Sequence, residues 1–293
     1  MHSNSDGTLR AANRRGVLAM AAGMASFVAN DTLVKYVSQS LPASQLIFLR
    51  GVFAIALLLV VVHAMGATRQ IPRLLDARVL LRALFDAVAT LCYLIALFQL
   101  PLANATAINM ATPLFLTLFA IVAFGEKVGA ARWLAIAAGF AGVLLVVQPS
   151  GDAFNAYALL CVAGTLLQAA RDLVTRTIHR GIPSIVVTLS TAIGVTVLSG
   201  AWSLVQDWQP ASGRQLALLA VASVFLSGGY YLVTIAMRAG EMSVIAPFRY
   251  AGLLFAVVLG YAVWGDVPNA LAWSGIALLV AAGVAVLRLS SRR

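Results

Sequence analysis

Long apolar runs separated by short polar connections alternate along almost the whole chain. Each run is close to the roughly 20 residues that an α-helix needs to cross the hydrocarbon core of a bilayer. The runs are too continuous for membrane β-strands, in which apolar and polar residues alternate. The pattern therefore predicts an all-α integral membrane protein with ten transmembrane helices. We place these helices at residues 16–36, 43–65, 79–98, 103–123, 130–147, 154–178, 184–205, 214–237, 243–264 and 271–287.

The composition supports a membrane protein. Hydrophobic residues make up 61% of the 293 residues and charged residues only 10%. A water-soluble globule could not bury so much apolar surface. Lipid offers no hydrogen bonds to the backbone, so helices are the spanning elements that these runs allow. No soluble domain is left over, and we interpret the first run as a retained span rather than a cleaved signal peptide.

The net charge of +10 has a topological explanation rather than a nucleic-acid partner. Lys and Arg concentrate in alternate connections, and short basic loops stay on the cytoplasmic side. We call that side the basic face, and the side whose connections contain only Arg214 the opposite face. Both termini are then predicted to be cytoplasmic, in the inner membrane. The basic face carries Arg10, Arg14, Arg15, Arg69, Arg73, Arg78, Lys127, Arg132, Arg176, Arg180, Arg238, Arg288, Arg292 and Arg293.

Weak internal repetition predicts two halves of opposite orientation. Asp31 follows Ala29-Asn30 as Asp172 follows Ala170-Arg171, and Gly23 and Gly164 share that offset. Later in each half, Gly125-Glu126 and Trp133 match Gly265-Asp266 and Trp273. We therefore predict a cytoplasmic N-terminal tail at 1–15 and five-helix repeats at 16–148 and 154–289.

The sequence gives no indication of a catalytic, metal or cofactor site. Cys92 and Cys161 lie alone in separate apolar runs, which argues against a disulfide or metal pair. The histidines, His2, His63 and His179, fall in or beside cytoplasmic segments. No Walker-type phosphate loop occurs, so direct ATP hydrolysis is not expected.

Charged residues inside the apolar runs are the strongest functional signal. Each costs about 2.5–3.5 kcal/mol at the centre of a membrane helix, so it needs a partner, a wet cavity or access to the interface. Three pairs have the i, i+4 spacing that permits neutralisation on one helix face. The structural hypothesis is that these pairs neutralise themselves, and the alternative is a role in binding. The pairs are Asp31 with Lys35, Arg82 with Asp86, and Asp172 with Arg176.

Arg50 and Arg249 have no acidic residue three or four positions away. Their counter-charge must be an aspartate on another helix or a bound anion, for which the guanidinium fork is well suited. Arg249 follows Pro247, which should bend its helix beside a cavity. Pro113 should bend the fourth run in the same way, just after Asn109 and Thr112. The polar groups of that run either bond neighbouring helices or contact a solute.

These considerations give one set of candidate substrate-binding residues. Their side chains are charged groups, amides and tyrosines, and the tyrosines could instead be interface anchors. The set comprises Arg249, Arg50, Tyr250, Asn30, Asp31, Asn109, Tyr93, Asp86, Arg171 and Tyr230.

Several motifs resemble the EamA family of the drug/metabolite transporter superfamily over nearly the whole chain. They are the segment 103–108, Thr112-Pro113, Gly125-Glu126, and Trp133 with Gly139 and Gly142. The segments 29–36, 48–50 and 246–250 are similar to the branch that contains S-adenosylmethionine and riboflavin uptake proteins. The resemblance implies ten helices in two inverted halves and secondary transport without a bound cofactor.

We therefore expect a transporter that moves a small polar, anionic or zwitterionic metabolite by alternating access. The alternatives are an intramembrane enzyme, with Asp86 and Asp172 as an acid dyad, and a membrane assembly protein. No catalytic motif surrounds either aspartate. The expected partners are a small-molecule substrate and the lipid bilayer, with the oligomeric state left open.

Overall fold

The computed structural model describes residues 2–124, 129–148, 155–175, 177–179, 181–239 and 241–291. These residues form α-helices and short 3₁₀ segments and contain no strand. The α-helices are α1 (His2–Val37), α2 (Ala43–Ala64), α3 (Ala77–Gln99), α4 (Leu102–Asn109), α5 (Thr112–Phe124), α6 (Ala130–Val147), α7 (Tyr157–Thr175), α8 (Ser184–Ser203), α9 (Gly213–Ala239), α10 (Met242–Ile245), α11 (Ala251–Trp264) and α12 (Ala270–Ser291). The 3₁₀ segments are Thr68–Leu75 and Ala246–Tyr250.

The all-helical membrane prediction is confirmed. Within the described residues, nine helical segments are long and apolar enough to cross a membrane. A further apolar helix, Trp133–Val147, coincides with the fifth predicted run but is shorter. The predicted count of ten spans therefore depends on this helix.

Two predicted helices are broken at the points where proline was expected to bend them. The fourth run divides into α4 and α5 at residues 110–111, directly before Thr112-Pro113. The ninth run divides at the 3₁₀ segment Ala246–Tyr250, which contains Pro247. Proline cannot donate a backbone hydrogen bond and crowds the preceding turn, so the helix continues in a new direction.

The helices pack in pairs across the bundle. Helix α1 packs against α9, α3 against α7, α2 against α8, and α6 against α12. The α6–α12 contact is especially close, because a Cβ on Gly275 would lie 2.6 Å from the carbonyl oxygen of Gly142. Small residues permit such approaches between membrane helices, where packing rather than water exclusion drives association.

Some sequence features lie outside the described residues. These are Gly125, Glu126, Lys127, Arg176, Arg180, Arg292 and Arg293. The predicted tail is partly described: residues 2–15 continue helix α1 without interruption.

Candidate functional site

A cavity of about 380 Å³ lies inside the bundle. Toward the basic face its lining reaches Leu58 late in α2, Arg82 early in α3 and Thr188 early in α8. Toward the opposite face it reaches Thr106 in α4 and Leu94 late in α3. All ten candidate residues contribute to it: Arg249, Arg50, Tyr250, Asn30, Asp31, Asn109, Tyr93, Asp86, Arg171 and Tyr230.

Asp31 lies at the centre of a hydrogen-bonded chain between three helices. The Tyr93 hydroxyl donates to Oδ2 of Asp31 at 2.7 Å, and Nδ2 of Asn30 donates to Oδ1 at 2.9 Å. The guanidinium of Arg50 donates from Nη1 to Oδ1 of Asn30 at 3.4 Å. The Asn30 amide therefore connects the Arg50 cation to the Asp31 carboxylate.

The predicted pairing of Asp31 with Lys35 is wrong. Lys35 Nζ instead donates to the carbonyl oxygen of Leu100, at the end of α3. The same ammonium lies 5.2 Å from the ring centroid of Trp264, at the end of α11. Lys35 is in the last turn of α1, so its long side chain extends toward the helix end and away from Asp31.

The predicted Arg82–Asp86 pair is confirmed, with 3.1 Å between Nη1 and Oδ2. Asp86 is also shared with Arg171 of α7, whose Nη1 lies 2.8 Å from Oδ1. The Thr191 hydroxyl donates to Oδ2 of Asp86 at 3.0 Å, and Arg82 donates to the Thr191 hydroxyl oxygen. One buried carboxylate thus joins α3, α7 and α8.

Arg171 also contacts the aspartate beside it. Its Nη2 lies 2.7 Å from Oδ1 of Asp172, while its Nη1 binds Asp86. The predicted partner of Asp172, Arg176, lies outside the described residues. Each aspartate of the suggested acid dyad therefore contacts an arginine: Asp86 contacts Arg82 and Arg171, and Asp172 contacts Arg171.

Arg50 is buried without an ion pair within the described part of the chain. It is 5% exposed, and its Nε has no hydrogen-bond partner. Of the counter-charges that the sequence allowed, Asp31 is the one connected to it, through Asn30. A buried donor without a hydrogen bond costs about 1–3 kcal/mol of stability. A hydrogen-bond acceptor supplied by a ligand would therefore bind favourably to this side chain.

Arg249 projects into the cavity from the 3₁₀ segment that interrupts the ninth span. Its neighbour Tyr250 is buried, and the tyrosine hydroxyl lies directly against Gly283 of α12. A Cβ at Gly283 would lie only 1.6 Å from that hydroxyl oxygen. Gly283 therefore provides the space that fixes the Tyr250 ring.

The break between α4 and α5 supplies neutral polar groups. The Thr112 hydroxyl donates to the carbonyl oxygen of Asn109 at 2.6 Å and lies 3.4 Å from Oε1 of Gln168. The buried hydroxyl of Thr106, one turn before Asn109, has no hydrogen-bond partner. These groups face the same cavity as the arginines.

The tyrosines take different positions. Tyr230 packs edge-to-face on Phe27, with 5.0 Å between ring centroids. Tyr231 is 68% exposed and is not part of the described lining. Neighbouring residues on a helix point in directions about 100° apart, and here Tyr230 lines the cavity while Tyr231 lies at the surface.

Sequence reasoning missed several lining residues, including Thr90, Gln168, Thr188 and Thr191. Thr188 and Thr191 are three residues apart in α8, so they share one face of the helix. That spacing could have identified the two threonines as lining residues. No group of three His, Cys, Asp or Glu side chains suited to a metal ion occurs within the described ranges.

Hydrogen bonds between loops and helix ends close the bundle at the opposite face. Gln45 of α2 exchanges two bonds with the backbone of Gln209, at 2.8 and 2.9 Å. Ser44 donates to Oε1 of Gln206 at 2.5 Å. Together with the Lys35–Leu100 contact, these bonds tie α1, α2 and α3 to their neighbours beyond the end of the cavity.

Comparison with known proteins agrees with this arrangement. The family model described as the EamA-like transporter family matches residues 14–148 and again residues 155–288. A crystal structure with a TM-score of 0.66 and 18% sequence identity covers 94% of this chain and 98% of its own, which supports the fold alone.

Named relatives are transporters. A riboflavin transporter of Rhizobium johnstonii is 31% identical over 216 residues, 74% of this chain and 72% of that protein. The pseudopaline exporter CntI of Pseudomonas aeruginosa strain UCBPP-PA14 is 28% identical, covering 94% and 96%. An S-adenosylmethionine uptake transporter of Rickettsia conorii is 26% identical, covering 88% and 87%. The chain thus belongs to the EamA-like transporter family, and the relatives reported above are named as transporters or exporters of small metabolites.

Proposed function

We propose that this protein is a secondary transporter that moves a small polar or zwitterionic metabolite across the inner membrane by alternating access. The observation that carries the proposal is a polar, arginine-lined cavity inside a membrane helix bundle, lined by residues from both regions that match the family model. Transporters built from two inverted repeats bind their substrates at such a central position between the repeats.

Two inverted five-helix repeats, at 16–148 and 154–289, would supply the moving halves. Two separate matches to one family model support this division. The packing supports it too, because exchanging the halves converts the α1–α9 contact into the α7–α3 contact and the α2–α9 contact into α8–α3. The α2–α8 and α6–α12 contacts are their own counterparts under the same exchange.

Local features follow the same correspondence. A Cβ on Gly23 would lie 3.2 Å from the carbonyl oxygen of Gly229 in α9, and one on Gly164 would lie 3.1 Å from that of Ala89 in α3. The interruption between α4 and α5 and the 3₁₀ segment before α11 occupy equivalent spans of the two halves. Interrupted helices in corresponding positions are typical of transporter substrate sites.

The basic face is proposed to be cytoplasmic, with both termini on that side, because of the distribution of Lys and Arg. The hydrogen bonds that join the loops at the opposite face would then lie on the periplasmic side. Lys35 belongs to this end, where it joins α1 to the ends of α3 and α11.

The ten candidate residues are proposed to contact the solute in this cavity. Arg50 and Arg249 would bind its anionic group, and Asn30, Asn109 and the tyrosines would bind polar or planar parts. Asp31, Asp86 and Arg171 would complete the charge pattern of the lining. A cavity of about 380 Å³ falls in the ordinary range for small-ligand sites.

Counterflow in proteoliposomes tests the proposal. The panel contains S-adenosylmethionine, riboflavin, amino acids and nucleobases, since relatives are named for riboflavin and S-adenosylmethionine. We expect at least one compound to exchange faster than in protein-free liposomes and to raise the thermal midpoint of the purified protein. Exchange at the protein-free rate throughout, with no thermal stabilisation, would contradict the proposal.

A further inference from the structure

The charged side chains that line the cavity do not balance among the residues that the structure describes. This part of the lining holds one more arginine than aspartate, which leaves one formal positive charge. The arginines are Arg50, Arg82, Arg171 and Arg249, and the aspartates are Asp31, Asp86 and Asp172. A cation without a counter-charge inside a membrane bundle raises the free energy of the protein. Its position therefore indicates where an anionic ligand would bind.

Two of the arginines form ion pairs with aspartates of the protein. Arg82 and Arg171 both contact Asp86, and Arg171 also contacts Asp172. These two cations and two anions form one neutral network on α3 and α7. A solute anion would have to displace ion pairs of 2.7–3.1 Å to bind there.

A third arginine is compensated less directly. Arg50 reaches Asp31 through the Asn30 amide, so this chain is also neutral in sum. The excess charge of the cavity therefore resides at Arg249. Within the described residues Arg249 has neither a carboxylate within ion-pairing distance nor a hydrogen-bonded partner for its guanidinium, although it lines the cavity.

We infer that the transported solute is an organic anion with one excess negative charge, and that its oxyanion, such as a carboxylate, binds the Arg249 guanidinium. This rests on the proposed transport function and narrows its substrate class. A planar guanidinium can donate hydrogen bonds to both oxygens of a carboxylate at once. A water molecule at the same place could not reproduce this charged, two-point contact. The solute then supplies the negative counter-charge for Arg249.

A second observation indicates a hydrogen-bonding group elsewhere on the solute. Thr106 is 3% exposed and lines the cavity, and its hydroxyl has no hydrogen-bond partner among the described residues. The buried Nε of Arg50, in the same cavity, also has none in this part of the chain. A ligand with one or two further acceptors would satisfy groups that are otherwise left without hydrogen bonds.

A thiol-reactivity experiment tests the charge of the site without knowledge of the substrate. A single cysteine is placed at Met110, which lines the cavity and whose methyl lies 3.2 Å from the Cβ position of Gly252, three residues beyond Arg249. Cys92 and Cys161 are replaced by alanine. The probes are the anionic sulfonatoethyl and the cationic trimethylammonium-ethyl methanethiosulfonate, applied to the purified protein.

We expect the anionic probe to react faster with this cysteine than the cationic probe, relative to their rates with a free thiol. Arg249→Gln should lower that ratio by at least about tenfold, as expected for loss of one nearby charge in a medium of low polarity. Arg214→Gln, which removes an exposed arginine at the opposite face, should leave it unchanged. A preference for the cationic probe, or a ratio unaffected by Arg249→Gln, would overturn the inference.

A transport arm separates this inference from the proposed function. Proteoliposomes are loaded with an equimolar mixture of organic acids, amino acids, amines and nucleosides, and the compounds that leave are identified by mass spectrometry. Selective exit of compounds with a net negative charge supports the inference, and exit of only cations, zwitterions or uncharged compounds overturns it. If nothing leaves, transport itself fails, while the thiol-reactivity ratio still decides whether the cavity holds an anion site.

Discussion

Asp86 is the residue whose loss should most clearly reveal how the charged network supports the fold. Its carboxylate is 3% exposed and contacts Arg82, Arg171 and Thr191 on three helices. The substitution Asp86→Asn preserves the size of the side chain but removes the charge. Two arginines are then left in the membrane bundle without their shared anion.

Removing one partner of a buried ion pair costs about 3–5 kcal/mol, because the other charge stays buried without compensation. For a chain of this size, such a loss should lower the thermal midpoint by roughly 6 °C or more. Asp172→Asn is the matched control. The Asp172 side chain is 32% exposed and, among the described residues, its ion pair is with Arg171, so we expect a loss of about 1 kcal/mol or less.

The assay is the thermal midpoint of each purified variant in detergent, read by fluorescence-detected size exclusion. The double variant Asp86→Asn/Arg171→Gln should be more stable than Asp86→Asn alone, because it returns the net charge of the network from +1 to zero. Equal midpoints for Asp86→Asn and Asp172→Asn would refute the view that Asp86 is the shared anchor.

Three further predictions address packing, closure and orientation. Gly283→Ala places a Cβ against the Tyr250 hydroxyl and should cost about 1–3 kcal/mol and reduce transport, whereas Gly228→Ala, with no atom within 4 Å, should be neutral or slightly stabilising in the same melting assay. Lys35→Met removes the contacts with Leu100 and Trp264. It should raise the rate at which an impermeant reagent added from the periplasm modifies a cysteine at Met110 by about tenfold. An unchanged rate would show that Lys35 does not keep the periplasmic side closed. A lone cysteine at Asp207 should be labelled by an impermeant maleimide from the periplasm, and labelling only after permeabilisation would reverse the proposed orientation.

Much of the fold was predictable because lipid imposes strong constraints on sequence. A run of about 20 apolar residues must become a helix, so most helix positions followed directly from the pattern. The breaks before Pro113 and around Pro247 were predictable for a local reason, namely the lost backbone hydrogen bond of proline. The 3₁₀ segment Thr68–Leu75 was not predicted, because a short amphipathic connection has no such constraint.

The sequence predicted which residues line the candidate site but not which residues they contact. Charged and amide groups inside apolar runs had to face a polar space, and all ten candidates line the same cavity. Helix spacing identified the Arg82–Asp86 pair, yet the same rule failed for Asp31 and Lys35. Lys35 bonds a carbonyl 65 residues away, and Arg171 binds an aspartate 85 residues away, so packing between distant helices decided both.

The most direct test of a solute site in this cavity is the comparison of Arg249→Lys with Arg249→Ala. Lysine keeps the positive charge but cannot reproduce the two-pronged donor geometry of a guanidinium. Using a compound that the counterflow panel identifies, solute affinity and thermal midpoint are measured on both purified variants. We predict a midpoint near that of the unsubstituted protein and at least a tenfold loss of affinity for Arg249→Lys, with still weaker binding for Arg249→Ala. Unchanged affinity in Arg249→Lys would contradict direct solute binding by Arg249.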